Sequence, residues 1–299
     1  MTHPSLAGVF PPVATPFKAN GDVDFDGLAA NLEKLNKQPL AGYVLGGSNG
    51  EFTSLSVEER LEVVKLARQL TPKDRLLIAG SGMESTRGTL ELTEKVAALG
   101  ADVTIVVTPG YFKTKMTPEA LEAYYQQVAD ASPIPVLLYS VPANTGVDLP
   151  ASTVAKLSQH PNVIGLKDSG GDITKIGLMS HTTREGFQLL AGSAGFLLAS
   201  LVVGAVGGVM ALANIAGPQL YELYKLYNDG DLAGARALQL KLIEVNTAVT
   251  ARFGVAGLKH AMSRLGYAAG LPRSPLLPLN DSDKATLDDI LVRAGLLSA

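Results

Sequence analysis

The sequence contains no cysteine in its 299 residues. Disulfides, thiolate metal sites and cysteine nucleophiles are therefore excluded. The four histidines are scattered along the chain, and none of them has the HxH or HExxH spacing of a metal site. A histidine-bound divalent metal is therefore not expected. Carboxylates alone could hold a magnesium ion, but the sequence offers no support for one.

Long apolar runs and clusters of basic residues are also missing. No stretch approaches the roughly 18 uninterrupted apolar residues of a membrane span, since glycines and serines interrupt the most apolar region, residues 192–212. The net charge is −3 and no basic run stands out, so nothing favours a nucleic-acid partner. Residues 1–8 lack signal-peptide features and are not Arg-rich, which predicts a cytoplasmic protein. A mitochondrial matrix location would require a transit peptide outside this sequence.

What the chain does contain is ample material for a core, with 46% hydrophobic and 18% charged residues. Apolar runs of strand length alternate with amphipathic runs of helix length as far as about residue 230. Several strand candidates are continuous in Val, Ile and Leu, as parallel strands buried on both faces require. The predicted strands are 8–15, 42–46, 75–79, 103–108, 135–139, 163–167, 187–191 and 206–210. Helix boundaries are predicted by a capping box at Ser56 and Glu59, by Thr117 before Pro118, and by Gly100.

Eight strand–helix pairs predict an α/β fold, a (β/α)8 TIM barrel. The alternative is an open doubly wound sheet, which the even count and the absence of a GxGxxG turn after the first strand disfavour. Beyond residue 230 the pattern is purely helical, at 232–250, 255–265 and 284–294. We therefore expect a barrel domain over 1–230 and a C-terminal helical extension over 231–299, packed on the barrel.

Active-site residues of such barrels lie at the carboxyl ends of the strands. Lys167 ends the sixth predicted strand, where loss of hydration disfavours the ammonium form and leaves more free amine to attack a carbonyl. The alternative is a structural ion pair with Asp168 or another carboxylate. Tyr139 ends the fifth strand, where its phenol could transfer protons beside an imine. The alternative for this residue is a tyrosine that caps the barrel core.

Two glycine-rich turns follow strands as well. Residues 46–51 let the backbone approach a ligand closely, and successive N–H groups there can form an anion-binding nest, with Ser48 and Asn49 as further donors. Residues 192–195, after the seventh strand, could cradle a phosphate. No Arg or Lys lies within that second turn, which argues against a phosphate site.

Three motifs resemble the signatures of the dihydrodipicolinate synthase / N-acetylneuraminate lyase superfamily: Gly-Ser-Asn-Gly-Glu at 47–51, Tyr-Ser-Val-Pro at 139–142 and Gly-Leu-Lys-Asp at 165–168. Their order and spacing fit, and the resemblance covers essentially the whole chain. Within that superfamily the chain is most similar to 4-hydroxy-2-oxoglutarate aldolases. The longest similar stretches are 47–52, 138–146, 167–172 and 190–196.

The resemblance implies a role for each site residue. Lys167 would form a Schiff base with the substrate, so that no metal or cofactor is needed, and Tyr139 would shuttle protons. The carboxylate beside the ketone would bind to Ser48 and Asn49, next to Gly47. Tyr111 would cross a subunit interface and complete a proton relay with Ser48 and Tyr139. Three further residues would contact the rest of the substrate: Ser169, Gly192 and Val209.

Two departures from the family pattern point to a substrate. Dihydrodipicolinate synthases place an Arg two residues after the Pro of the Tyr-x-Val-Pro motif, where this chain has Asn144. An amide cannot offer a bidentate charged fork. Those enzymes also usually have two threonines in place of Ser48 and Asn49. The resemblance thus predicts a class I aldolase that cleaves 4-hydroxy-2-oxoglutarate to pyruvate and glyoxylate.

Other interpretations remain open on the sequence alone. The same catalytic residues would serve an aldolase or dehydratase of a 2-keto-3-deoxy sugar acid, and dihydrodipicolinate synthesis is a weaker alternative. A non-catalytic 2-oxo-acid-binding protein would need to have lost a catalytic residue, whereas this chain keeps Lys167, Tyr139 and Tyr111. The resemblance also implies a homotetramer built as a dimer of dimers.

Overall fold

Short runs rich in Val, Ile, Leu and Gly form eight parallel strands in the computed structural model, which describes residues 3–298. Both faces of these strands are covered, which explains why the runs are apolar without alternation. The strands are β1 Gly8–Phe10, β2 Gly42–Leu45, β3 Leu76–Gly80, β4 Val103–Val107, β5 Val136–Ser140, β6 Val163–Asp168, β7 Gln188–Ala191 and β8 Gly207–Val209.

The strands are hydrogen-bonded in the order β1-β8-β7-β6-β5-β4-β3-β2. The two ends of this sheet also meet, because Ala41 N–H donates to Val9 O at 3.0 Å and Val13 N–H donates to Val44 O at 2.9 Å. The sheet therefore closes on itself into a barrel with helices outside it. The predicted (β/α)8 barrel is confirmed, and the open doubly wound sheet is wrong.

Twelve α-helices lie within the described part of the chain. The predicted capping box forms at Ser56 and Glu59, Thr117 caps the helix that begins at Pro118, and Gly100 takes a left-handed conformation just after the end of a helix. The helices are α1 Phe25–Leu35, α2 Val57–Leu70, α3 Thr86–Ala98, α4 Pro118–Ala131, α5 Pro142–Thr145, α6 Ala151–Leu157, α7 Ile173–Thr182, α8 Leu197–Val202, α9 Ala213–Asn228, α10 Leu232–Thr247, α11 Gly254–Arg264 and α12 Asp281–Arg293.

Two predicted elements end several residues earlier than expected. The first strand was expected over 8–15 but ends at Phe10, because Pro11 and Pro12 have no backbone N–H to donate to a neighbouring strand. The helix expected over 232–250 leaves α-helical geometry after Thr247 and continues as a π-helical turn, Ala248–Arg252. π-Helical turns of this kind are often found near functional sites.

The core has two layers. Inside the barrel, apolar side chains from the strands pack against one another, and this inner cluster includes Ile105, Tyr139 and Val209. Outside it, the strands pack against the helices. Helices α10–α12 follow the barrel and pack on it and on one another, α10 against α9 and α11 against α12. The division of the chain into domains at residue 230 stays a prediction.

Between residues 3 and 298, no helix combines the length and apolar character needed to span a bilayer. Across the same residues, no three histidine or carboxylate side chains come together as a potential metal site.

Candidate active site

Lys167 lies near the end of β6 and is only 5% exposed. Its neighbours across the sheet are Tyr139 on β5 and Leu190 on β7. The Lys167 Nζ atom is 4.1 Å from the centroid of the Tyr139 ring. The barrel thus places an amine and a phenol side by side in a space almost closed to solvent.

Asp168, which was the candidate partner for an ion pair with Lys167, is engaged elsewhere. Its carboxylate pairs with Lys175 Nζ at 3.2 Å and accepts the N–H groups of Gly170 and Gly171 at 2.8 and 3.2 Å. Among the described residues, no carboxylate forms an ion pair with Lys167. The structural ion pair is therefore not what holds this lysine.

The environment of Tyr139 adjusts its acidity. Burial raises the pKa of the phenol, but the positive charge of Lys167 and hydrogen bonds with Ser48, Lys167 and Ser169 outweigh burial, so the pKa lies below its ordinary value. The Ser48 Oγ and Tyr139 Oη atoms are 3.3 Å apart. A phenol with a lowered pKa exchanges protons more readily near neutral pH.

The glycine-rich turn after β2 lies beside this tyrosine. Gly46 has a positive φ of 68°, and Gly47 precedes a 3-10 helical turn, Ser48–Gly50. The first N–H groups of a helical turn have no partner within it. The turn can therefore offer backbone donors, with the Ser48 hydroxyl next to them, to a carboxylate near Lys167.

A cavity of about 780 Å³ opens beside the turn that begins at Ser48. Ser48, Tyr111 and Asn144 lie in its wall, so the structure brings three of the predicted residues together here. Tyr111 is 79% exposed. The Glu84 carboxylate fixes the backbone of this tyrosine by accepting its N–H at 2.9 Å.

The predicted residues around the substrate lie at neighbouring strand ends. Ser169 follows β6, and its side chain contacts Tyr139. Gly192 follows β7 and donates its N–H to Asp168 O at 2.7 Å. A Cβ at residue 192 would lie only 2.0 Å from Ser169 Oγ, so this position requires glycine. Val209 is fully buried in the inner cluster with Tyr139.

The turn at 192–195 is packed against α10. Asn246 Nδ2 donates to Ser193 Oγ at 3.0 Å, and Gln239 Nε2 donates to Ala194 O at 2.8 Å. Two acceptors of this turn therefore attach α10 to the barrel. The N–H groups of Gly192 and Gly195 donate to Asp168 O and Ser193 Oγ, which further disfavours a phosphate site.

Three charged residues near the site were given no role in the sequence-based predictions, although Glu51 belongs to the 47–51 motif. Arg60 of α2 is buried beside the cavity, and burial lowers its pKa to about 10. Glu51 and Lys259 form a buried ion pair behind the Ser48–Gly50 turn. The one available signal was Lys259, a charged residue on the apolar face of its helix between Leu258 and Met262.

Comparison with known proteins agrees with this geometry. The model of the dihydrodipicolinate synthetase family matches residues 5–294. A 4-hydroxy-tetrahydrodipicolinate synthase of Methanothrix thermoacetophila is 35% identical over 97% of this chain and 98% of its own. An uncharacterised DapA-like lyase of Halobacterium salinarum is 38% identical over 98% and 95%. The crystal structure of YagE from E. coli K12 in complex with pyruvate superposes with a TM-score of 0.92 at 31% identity, covering 97% of this chain and 99% of YagE.

The fold and the family together define the class of protein: a pyruvate-dependent class I carbon–carbon lyase. Enzymes of this class join pyruvate to a lysine as a Schiff base and use no metal or cofactor. The chain belongs to the dihydrodipicolinate synthetase family.

Proposed function

We propose that this enzyme cleaves 4-hydroxy-2-oxoglutarate to pyruvate and glyoxylate. The observation that carries the proposal is Asn144, which lines the cavity where the resemblance places an arginine in dihydrodipicolinate synthases. A neutral amide can hydrogen-bond to a substrate. It cannot form the charged bidentate contact with which an arginine would bind the carboxylate of an amino-acid-derived aldehyde. The relatives that carry the name of that synthase are about one-third identical to this chain, a level at which the catalytic core can be shared while the substrate differs.

In the first half of the proposed reaction, the ammonium group of Lys167 gives a proton to the relay of Tyr139 and Ser48, and the neutral amine then attacks C2 of the 2-oxo acid. The turn at Ser48 and Asn49 holds the adjacent carboxylate. Tyr139 donates a proton to the departing oxygen and water leaves, so that a protonated imine joins C2 to Nζ. The lowered pKa of Tyr139 and its contacts with Ser48 and Ser169 suit it to this transfer.

In the second half, the protonated imine accepts electrons. Loss of the proton from the C4 hydroxyl breaks the C3–C4 bond, and C4 with C5 leaves as glyoxylate. The electron pair of the broken bond forms an enamine between C3, C2 and Nζ. A proton returns to C3, and water then hydrolyses the imine, which releases pyruvate and the free lysine.

The distal carboxylate of the substrate would lie near Ser169, Asn144 and Gly192, above Val209. These groups are neutral, so they position the carboxylate by hydrogen bonds and shape. A longer 2-keto-3-deoxy sugar acid would extend past them toward Tyr111. The cavity is large enough for such a substrate, so an aldolase or dehydratase acting on a 2-keto-3-deoxy sugar acid is the competing proposal.

A substrate panel with coupled pyruvate detection tests the proposal. We expect kcat/KM for cleavage of 4-hydroxy-2-oxoglutarate to exceed that for 2-keto-3-deoxygluconate. We also expect no condensation of pyruvate with aspartate semialdehyde. A higher kcat/KM for the sugar acid would replace the proposal with its competitor, and efficient condensation would make the enzyme a dihydrodipicolinate synthase.

Covalent trapping tests the lysine directly. Borohydride added with pyruvate should attach one pyruvate-derived group to the wild-type chain, detected by intact mass and located at Lys167 by peptide mapping. Lys167→Ala should give no adduct, whereas Lys156→Ala, which removes a lysine on the outer surface, should be trapped normally. An adduct on another lysine would refute this assignment.

We further propose that the enzyme works as a homotetramer, a dimer of dimers, in which Tyr111 reaches the site of a neighbouring subunit. The support is geometric: Tyr111 is 79% exposed, and its ring packs edge-on against Phe112, which is 68% exposed. Two large aromatic side chains exposed together are typical of a protein–protein contact.

A further inference from the structure

Glu51, the last residue of the 47–51 motif, has an unusual backbone. Its φ of 54° makes it the one non-glycine residue with a positive φ among residues 3–298. Such a conformation is unfavourable for a residue with a side chain and persists only where surrounding contacts enforce it. Glu51 directly follows the Ser48–Gly50 turn, and its N–H donates to Ser48 O at 3.0 Å. The conformation of Glu51 and that of the turn are therefore coupled.

The contacts that hold Glu51 come from the C-terminal segment. One carboxylate oxygen lies 2.6 Å from Lys259 Nζ, and the two side chains are 1% and 0% exposed. The other oxygen accepts the N–H of Arg273 at 2.8 Å. Both oxygens of this buried carboxylate are thus bound by residues that lie outside the barrel strands.

Lys259 itself is held on several sides. Its Nζ atom donates to Leu271 O at 3.1 Å and lies 4.0 Å from the centroid of the Phe17 ring. Arg273 lies over the same ring, at 4.4 Å, and forms an ion pair with Glu59 of α2 at 2.7 Å. These contacts leave Lys259 little freedom to move away from Glu51.

A buried ion pair contributes little net stability, because desolvation of the two charges offsets their attraction. Stability alone therefore does not explain why a lysine occupies the apolar face of α11. The position of its partner offers a reason, since Glu51 ends the turn that faces the reactive lysine.

We infer that Lys259 is a positioning residue for the reaction: through its ion pair with Glu51 it holds the Ser48–Asn49 turn in the shape that binds the substrate carboxylate. The C-terminal helices would then help to shape the binding site for the 2-oxo acid. This inference rests on the proposed function, because it takes that turn as the carboxylate site.

The test is the double variant Glu51→Gln/Lys259→Met, which removes both charges and so leaves neither one buried alone. Borohydride trapping is measured against pyruvate concentration. We expect the half-saturating concentration to rise roughly 10- to 100-fold, the effect of misplacing a binding group by about an ångström. Trapping at saturating pyruvate should still be complete, because Lys167 and Tyr139 are intact. The matched control is Arg293→Met, which removes a C-terminal cation whose partner, Glu244, lies on the surface.

The outcomes separate the two proposals. A folded double variant with the half-saturating concentration of the wild type would overturn the role of Lys259, even if it melts at a lower temperature. If the wild type itself traps no pyruvate, the proposed function fails, whatever the variant does.

A second measurement needs no variant. Coupling between two sites is reciprocal, so pyruvate should slow amide hydrogen exchange in the wild type both at residues 47–51 and at Arg273. Protection of 47–51 without any change at Arg273 would also overturn the inference.

Discussion

At the scale of single residues, the site depends on how Lys167 changes the acidity of Tyr139. Lys167 and Tyr139 are both 5% exposed and face each other from adjacent strands. The lysine supplies the nearest positive charge to the phenol, and burial strengthens that interaction.

The pKa of Tyr139 should therefore rise when Lys167 is replaced by Met. The substitution removes the positive charge that stabilises the phenolate. The effect of burial, which raises the pKa, is then opposed only by the hydrogen bonds with Ser48 and Ser169. The measurement is an ultraviolet titration of tyrosinate, with the spectrum of Lys167→Met/Tyr139→Phe subtracted, because the chain has nine tyrosines. The control, Lys156→Met, should leave this titration unchanged. A Tyr139 pKa that falls or stays constant in Lys167→Met would contradict the electrostatic coupling.

Tyr139→Phe should slow turnover by about 10²- to 10⁴-fold, the usual contribution of a general acid–base residue. The loss should appear in kcat, because the carboxylate turn and Lys167 remain in place. Tyr221→Phe, which alters a partly exposed tyrosine on α9, serves as the control and should behave like the wild type. An unchanged kcat in Tyr139→Phe would remove this residue from the proton relay.

At the scale of elements, the strand ends and the turns after them position the site. The turn after β6 and the turn after β7 touch at Gly192, whose missing side chain lets Ser169 approach. The turn after β2 lies against the C-terminal segment through Glu51. Each turn is thus held by a neighbour that is distant in sequence.

Gly192→Ala should disrupt the site, because the new methyl group would lie 2.0 Å from Ser169 Oγ and 2.6 Å from Asp168 O. One of the two turns must then move, and we expect a higher KM for the 2-oxo acid and a lower melting temperature. Gly177→Ala in α7 is the control, since its Cβ would meet only an ordinary contact of 3.6 Å and alanine favours a helix. A variant at residue 192 with the KM of the wild type would show that the two turns adjust independently.

At the scale of the whole molecule, the predicted catalytic residues differ in their exposure to solvent. Ser48, Tyr139 and Lys167 meet inside the barrel, whereas Tyr111 lies in the outer wall of the cavity and faces solvent. The proposed relay, in which Tyr111 reaches the site of a neighbouring subunit, would require a second chain against this exposed tyrosine.

Mixed assemblies test this requirement. Lys167→Ala and Tyr111→Phe chains should each be nearly inactive. When they are dissociated and reassembled together, about a quarter of the sites should combine an intact Lys167 with an intact Tyr111 from a partner, as expected for random two-fold pairs. Activity near that fraction of the wild-type value is the expected result. No recovery, in mixtures shown by native mass spectrometry to contain mixed oligomers, would mean that Tyr111 does not act across the interface.

Much of this could be predicted from the sequence because the signals are local. Apolar strand runs and helix caps depend on neighbouring residues, which is why eight strands and the capping box at Ser56 were predicted correctly. The errors came where a local signal was misjudged or weak, as in the apolar run that continues through Pro11 and Pro12 and in the π-helical turn after Thr247.

The sequence by itself determined the barrel, the family and the short list of residues at the strand ends, because periodicity and motifs are properties of contiguous chain. Only the tertiary structure decided which side chains meet. It paired Asp168 with Lys175 and left Lys167 facing Tyr139, and it brought Lys259 from the C-terminal helices to Glu51. Such contacts join residues far apart in the chain, and their energies depend on burial, which no local pattern of residues records.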